Sequence, residues 1–168
     1  MMGISKKLFF VVCFLCSASF FQIYAANISF MVIETGGAAL AAKGMAELWE
    51  DGIMDVFFDA GHIISNARTK KIPAQPTKEE FPEEALRDFQ DADEGSSEYF
   101  IIAFLNYGDT ITTEATAPES VNLRLYKVAP YKFLMEKTAN GKYNPSEDAL
   151  TDVKKLAKAI IPYIGRKM

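Results

Sequence analysis

The sequence contains one histidine, His62, and only two cysteines, Cys13 and Cys16. Both cysteines lie close to the N-terminus, so the rest of the chain has no disulfide, no thiol nucleophile and no thiolate metal site. With no second histidine, the serines and threonines lack an activating base, and the sequence contains no G-x-S-x-G motif. We therefore predict no catalytic, cofactor-binding or metal-ligating residues and no cofactor.

Residues 1–26 have the pattern of a secretory signal peptide. Two lysines precede an unbroken apolar run from Leu8 to Cys16, and small residues follow up to Ala26. This is the usual order of a charged region, an apolar region and a cleavage site. We predict cleavage after Ala26, with Ala18 as the alternative, and a single domain over residues 27–168.

The N-terminal segment also fits two alternatives to a cleaved and unmodified signal peptide. Residues 8–26 are long enough to span a bilayer as an uncleaved anchor, and Cys16 is a candidate for lipidation. We therefore predict a periplasmic or secreted protein, with a membrane-anchored lipoprotein as the alternative. Membrane contact is expected only if residues 1–26 are retained or Cys16 is lipidated.

Acidic side chains outnumber basic ones by 22 to 18, which gives a net charge of −4. Lys6 and Lys7 leave with the predicted signal peptide and no acidic residue does, so the charge of residues 27–168 is −6. An acidic domain repels phosphate backbones, and no basic stripe offsets this repulsion locally. We predict that nucleic acid is not a partner.

The remaining chain alternates strand-like and helix-like patterns. "NISFMVIE" from Asn27 and "EYFIIAFLNY" from Glu98 are apolar runs typical of buried strands, and "HIISNA" from His62 is a shorter one. Apolar residues recur at helical spacing over Ala38–Ala60, over Pro82–Ala92 and from Leu150 to Ile164. Asn144-Pro145-Ser146-Glu147 is expected to start the last helix, with a cap, a proline at the first position and an acid at the third.

Two alternating segments close to each other predict a β-hairpin with one polar face. They are "VNLRLYKV" and "YKFLMEK", separated only by Ala129-Pro130. Residues 68–82 and 108–120 are predicted to be loops, because they are polar or rich in proline and threonine. The predicted fold is a single α/β domain with a mixed sheet of about five strands, in the order β-α-β-α-β-β-β-α.

Three stretches carry a resemblance to a known group of domains: "LWEDGIMDVFFDAGHIISN", "SSEYFIIAFLNY" and "NLRLYKVAPYKFLMEK". Together with the element order from Ile28 to Ile164, they resemble the N-terminal domain of TolB proteins. They are equally similar to the periplasmic domain shared by CsgG-like secretion lipoproteins and outer-membrane activators of penicillin-binding proteins. Ala103 and the Ala129-Pro130 turn depart from the pattern, which has glycine at both places.

The resemblance implies a non-enzymatic module for interaction or assembly in the cell envelope. Its partner would be an envelope protein or a cell-wall component. Six tyrosines in residues 27–168 suit a protein-binding surface, although half-buried positions of a sheet also favour tyrosine.

His62 belongs to the one pattern that suggests a metal site. Asp55, Asp59 and His62 have the spacing of one helix face and would suit a divalent cation if the helix were continuous. Gly61 is expected to end the helix before His62, so the three side chains would not converge. We interpret His62 as a residue at a junction between helix and strand.

The alternative function is that of a small-ligand-binding protein or an enzyme using the Thr35–Gly37 turn and His62. Glycines between a strand and a helix can place a phosphate at the helix N-terminus. Here they lack the spacing of a dinucleotide or P-loop motif, and positive φ at a turn is the usual explanation for them. This alternative requires a single pocket that holds both segments.

Overall fold

The computed structural model describes residues 25–36, 45–108, 118–140 and 147–165. The predicted signal peptide lies almost wholly outside the described residues. So do Gly37 of the predicted turn, most of the loop at residues 108–120 and the residues expected to cap the C-terminal helix.

Six strands and three helices make up the described fold. The strands are β1 (Asn27–Thr35), β2 (Ile63–Asn66), β3 (Lys70–Ile72), β4 (Tyr99–Asn106), β5 (Ser120–Lys127) and β6 (Lys132–Asn140). The helices are α1 (Met45–Asp59), α2 (Leu86–Glu94) and α3 (Glu147–Lys158), with short 3₁₀ turns at Glu83–Ala85 and Ile161–Tyr163.

The strands form one mixed sheet in the order β2-β1-β4-β5-β6. β1 is parallel to β2, to β4 and, beyond the end of β2, to β3. β5 is antiparallel to both β4 and β6. The predicted single α/β domain with a mixed sheet is confirmed, and β3 is the strand that brings the number to six.

The sheet is covered on both faces, which explains why β1 and β4 are apolar almost throughout. Helices α1 and α3 cover one face, which we call the two-helix face; it is centred on buried side chains that include Phe30, Trp49, Phe57, Ile101 and Leu125. Helix α2 lies over the opposite face, which buries Met31, Ile33, Phe100, Phe104 and Tyr126. The core therefore consists of two apolar layers on either side of the sheet.

The end of α1 follows the prediction made from Gly61. This glycine has φ of 82°, the left-handed conformation typical of a helix terminus. The N–H of His62 donates to the carbonyl of Phe57 across the turn, at 3.0 Å. The chain then enters β2, so His62 lies at a junction between helix and strand, as predicted.

The prediction that residues 68–82 are only a surface connection is wrong. Three of these residues form β3, which pairs with the C-terminal half of β1. Further along, Arg124 donates to the carbonyls of Pro76 and Thr77. The second half of the segment, residues 73–81, is thereby fastened to the sheet, and Phe81 packs into the core on the α2 side.

The predicted polar face of the hairpin is not exposed to solvent. Asn122 and Arg124 are buried in β5. Arg124 donates to the 73–81 segment, and the Asn122 amide donates to Glu136 and Thr138 of β6. An irregularity between Leu125 and Tyr126 also shifts the register with β6. Phe133 and Met135 consequently contact opposite layers of the core, whereas strict alternation had placed them on one face.

Candidate functional site

His62 is held in place by the backbone at the start of the sheet. Its side chain is buried, and Nδ1 accepts a hydrogen bond from the N–H of Ala26 at 3.2 Å. The ring also contacts Phe57, with 6.1 Å between centroids. Burial lowers the pKa of His62 from its ordinary value of 6.5. These contacts give the imidazole a structural role at the helix–strand junction.

The two aspartates of the predicted metal pattern do not join His62. Asp55 and Asp59 are exposed on α1, and Asp55 forms an ion pair with Lys154 at 2.8 Å. Across the described residues, no group of three or more histidine, cysteine, aspartate or glutamate side chains is arranged to hold a metal ion.

The described part of the Thr35–Gly37 turn lies at the opposite end of β1 from His62. Gly36 has φ of 95°, and a Cβ atom there would collide with the carbonyl oxygen of Gly108. His62 lies beside Ala26, just before β1 begins, so the length of the strand separates the two segments by roughly 26 Å at 3.3 Å per residue. The structure does not bring them into one pocket.

A buried polar cluster stands near the end of β1. Glu34 is 2 % exposed, accepts a hydrogen bond from the Tyr107 hydroxyl at 3.2 Å and pairs with Lys71 at 3.0 Å. Burial, followed by the neighbouring carboxylate, raises the pKa of Tyr107 well above its ordinary value. The phenol therefore stays protonated as a donor, and both oxygens of Glu34 are engaged. This cluster ties β1 to β3 and to the end of β4.

A polar cleft of about 460 Å³ opens between α2 and the β1–β2 edge of the sheet. We call it the serine cleft because Ser29, Ser65 and Ser97 line it together with Asn66 and Asp91. The Ser29 hydroxyl lies 2.9 Å from that of Ser65 and 2.8 Å from that of Ser97. These three hydroxyls form a continuous hydrogen-bonded chain at the base of the cleft.

β6 forms one edge of the sheet. Among the described residues it pairs only with β5, through eight of its nine residues from Lys132 to Asn140, with Leu134 left out at the irregularity. Leu134 and Met135 pack against the core layer of the two-helix face yet remain partly exposed. Charged side chains also lie along the strand, as is common for the edges of natural sheets.

An aromatic cluster adjoins the start of β6. Tyr131, 56 % exposed, stacks against buried Tyr126 with 6.0 Å between ring centroids. Phe81 and Phe89 each contact Tyr131 edge to face, and burial raises the pKa of Tyr126 to about 12. The exposed edge strand and the exposed Tyr131 together form a continuous surface of the hairpin.

The serine cleft was not predicted from the sequence, although one signal was present. Ser29 interrupts the apolar run of β1, and a polar residue in a strand buried on both faces needs a hydrogen-bonding partner. The partners Ser65 and Ser97 lie 36 and 68 residues away in the chain. Only the pairing of β1 with β2 and β4 brings them together.

No family model matches the chain, and no curated protein matches it in sequence. Solved structures that are similar include a variant PelC dodecamer from Paraburkholderia phytofirmans, 11% identical with a TM-score of 0.49. That match covers 83% of this chain and 89% of PelC.

TolB from Acinetobacter baumannii is 12% identical with a TM-score of 0.48, over 84% of this chain and 29% of TolB. A lipoprotein from Neisseria meningitidis is 16% identical with a TM-score of 0.36, over 82% of this chain and 98% of that protein. A TolB structure is thus among the similar ones. The resemblance to the CsgG-like domain stays a prediction, and none of these likenesses defines a function.

Proposed function

We propose that this protein is an exported, non-enzymatic module of the cell envelope that binds a partner protein along β6. The observation that carries the proposal is the nine-residue edge strand, which pairs on one side only among the described residues. An added strand would gain main-chain hydrogen bonds from this edge, and the exposed Tyr131 beside it would supply aromatic contact area.

The pattern of the N-terminal segment supports export. Within the residues that the structure describes, no helix is both long enough and apolar enough to cross a membrane. The site of processing bears directly on the fold, because Ala26 is buried, donates to His62 and accepts a hydrogen bond from the N–H of Ile63. Cleavage after Ala26 would remove both hydrogen bonds, whereas cleavage further upstream would retain them.

Intact mass and N-terminal sequencing of the protein from its native host test the export part of the proposal. A free N-terminus in or near residues 19–27 supports a periplasmic or secreted module. A lipid-bearing N-terminus at Cys16 supports the membrane-tethered alternative. Retention of the whole N-terminal segment in a protein isolated from the cytoplasm would contradict export.

Proline substitutions at two consecutive β6 residues test the binding edge. In an antiparallel edge strand, successive N–H groups point alternately towards the neighbouring strand and away from it. Of Lys137→Pro and Thr138→Pro, one therefore removes a hydrogen bond to β5, and the other removes an N–H that faces outwards. Proline is tolerated at the outward position of an edge strand, so the second variant should stay folded. Its unfolding midpoint should equal that of the wild type if it is Lys137→Pro, and should be lowered only by the lost hydrogen bond from Asn122 if it is Thr138→Pro.

The variant that stays folded should no longer co-purify with the envelope protein captured by the wild type. Arg87→Ala on α2 provides a control on a different exposed surface and should still capture it. If the folded proline variant retains the same partner at wild-type yield, β6 is not the binding edge.

A further inference from the structure

We propose that the serine cleft is a second binding site, which takes an uncharged, hydroxyl-rich ligand such as a saccharide ring. The site is separate from β6, because it lies at the β2 edge of the sheet, beyond β1 and β4. Its volume of about 460 Å³ falls within the range of small-molecule sites.

The base of the cleft offers unused hydrogen-bonding capacity. Ser29 is 9 % exposed and Ser97 is 7 % exposed, so both hydroxyls are largely removed from bulk water. Three hydroxyls carry three donors and six lone pairs, and the two bonds of the serine chain use two of each. One donor and several acceptors therefore remain for a ligand that both donates and accepts.

The walls of the cleft add two carboxylates and two amides. Asp88 is already paired with Lys70, which also contacts the carbonyl of Glu84. The backbone carbonyl of Asp91 accepts from the N–H of Gly95, but its carboxylate forms no hydrogen bond or ion pair with the described residues, and Asn66 is exposed at the rim. A carboxylate beside an amide can bind two neighbouring hydroxyl groups, because the first accepts while the second donates or accepts.

The same lining disfavours the other classes of small ligand. The carboxylates of Asp88 and Asp91 repel an anion. The lining does not provide the six or more oxygen ligands, several of them charged, that a divalent cation such as Ca²⁺ needs. The apolar contribution to the lining is limited to small groups, Ala67 and Ala92 among them, so an apolar ligand would bury little surface. A neutral ligand with several hydroxyls satisfies the lining without an unpaired charge.

Titration of the protein with D-glucose and with N-acetyl-D-glucosamine, followed by amide NMR, tests this proposal. We expect saturable shifts confined to the amides around Ser29, Ser65, Asn66 and Asp91. Asp91→Asn should weaken the affinity about tenfold, as expected for loss of a hydrogen bond to a charged acceptor. Asp93→Asn, an exposed site on the same helix outside the cleft, is the matched control and should bind like wild type.

Ser65→Ala provides a second variant, since it removes one hydroxyl at the open end of the serine chain, and it should also weaken binding. Methylammonium, a small cation, tests the alternative that the serine cleft selects a positively charged ligand. No saturable shift with either sugar, equal weakening in Asp91→Asn and Asp93→Asn, or tighter binding of methylammonium than of the sugars would each overturn the proposal. None of these results depends on whether β6 binds a partner.

Discussion

At the scale of single residues, His62 makes the stability of the fold depend on pH. Burial lowers its pKa below the ordinary 6.5, so the unfolded chain binds a proton more readily than the folded protein does. Stability is therefore fully present above pH 6.5 and is lost as the pH falls below that value, with a slope of at most about 1.4 kcal/mol per pH unit. This loss of stability begins at a pH above the range in which most carboxylates titrate.

His62→Asn isolates this contribution, because the Asn oxygen can accept from Ala26 but the side chain does not titrate. We expect urea unfolding of the wild type to lose more free energy between about pH 7.5 and pH 5.5 than unfolding of the variant does. Since the chain has a single histidine, no other imidazole complicates the comparison. The same loss in both proteins would show that the burial of His62 does not control this window.

Arg124 is the residue whose loss should cost most outside the apolar core. Its side chain is 2 % exposed, lies 4.9 Å from the centre of the Phe104 ring and donates to two carbonyls of the 73–81 segment. Its Nε is 3.3 Å from Glu136, an ion pair without the alignment of a hydrogen bond. Removing the guanidinium would leave the Glu136 charge largely buried and both carbonyls without their donor.

Arg124→Met should therefore lower the free energy of unfolding by roughly 3 kcal/mol, the usual cost of breaking a buried ion pair. Chemical denaturation at neutral pH measures the change, with Arg87→Met on the exposed side of α2 as the control. A loss of less than about 1 kcal/mol, comparable to that of a surface ion pair, would contradict this role for Arg124.

At the scale of elements, the contact between α1 and α3 depends on a glycine. A Cβ atom at Gly52 would lie closer to the Cγ1 atom of Val153 than any normal contact between carbon atoms. Gly52→Ala should therefore push α3 away from α1 and destabilise the protein by about 2 kcal/mol, as overpacking does. This cost outweighs the gain of up to about 1 kcal/mol that alanine brings inside a helix.

A double-mutant cycle separates the collision from other effects of the substitution. In a Val153→Ala background the Cγ1 atom is absent and only the Cβ atom of residue 153, at 3.0 Å, stays close, so Gly52→Ala should then cost much less than in the wild type. Thermal and urea unfolding of the four proteins give the coupling free energy. Additive effects of the two substitutions would contradict a direct contact between these positions.

The elements recovered from the sequence are those with a long periodic pattern. β1, β4 and the two longer helices have enough apolar residues for their spacing to be recognised, and Gly61 fixes one boundary by its backbone conformation. β3 was missed because its three residues, Lys-Lys-Ile, are too short to show a period. Its place beside β1 is stabilised by Lys71 and Glu34, which are far apart in the chain.

The alternation of polar and apolar residues in β5 did not correctly predict which face of the strand is exposed to solvent. Asn122 and Arg124 alternate with apolar residues, which normally indicates a solvent-exposed face, yet both are buried, Arg124 by its bonds to the 73–81 segment and Asn122 by those to β6. The irregularity between Leu125 and Tyr126 adds one residue, Leu134, to β6, and no local sequence pattern predicts it. Leu86, at the first position of α2, is 46 % exposed although it is one of the apolar residues of the helical pattern over Pro82–Ala92.

At the scale of the whole molecule, the strand order separates two surfaces with different chemistry. Next to β2, the serine cleft offers hydroxyl and carboxylate groups. On the other side, β6 and Tyr131 offer main-chain groups and an aromatic ring. The serine cleft was not recoverable from sequence spacing, because it combines residues from elements that become neighbours only in the folded sheet. The segment of Tyr131 and β6 was predicted as part of the hairpin, but its position at the edge of the sheet follows only from the strand order.

The most direct test of partner binding by β6 is site-specific photocrosslinking along this strand in the native cell envelope. A photoreactive amino acid replaces Lys137 on β6 or, as the control, Gln90 on the exposed side of α2. If β6 binds a partner strand, the Lys137 position crosslinks to one defined envelope protein and the Gln90 position does not. Equal crosslinking at both positions, or none at Lys137 in a correctly exported protein, would contradict the proposed function.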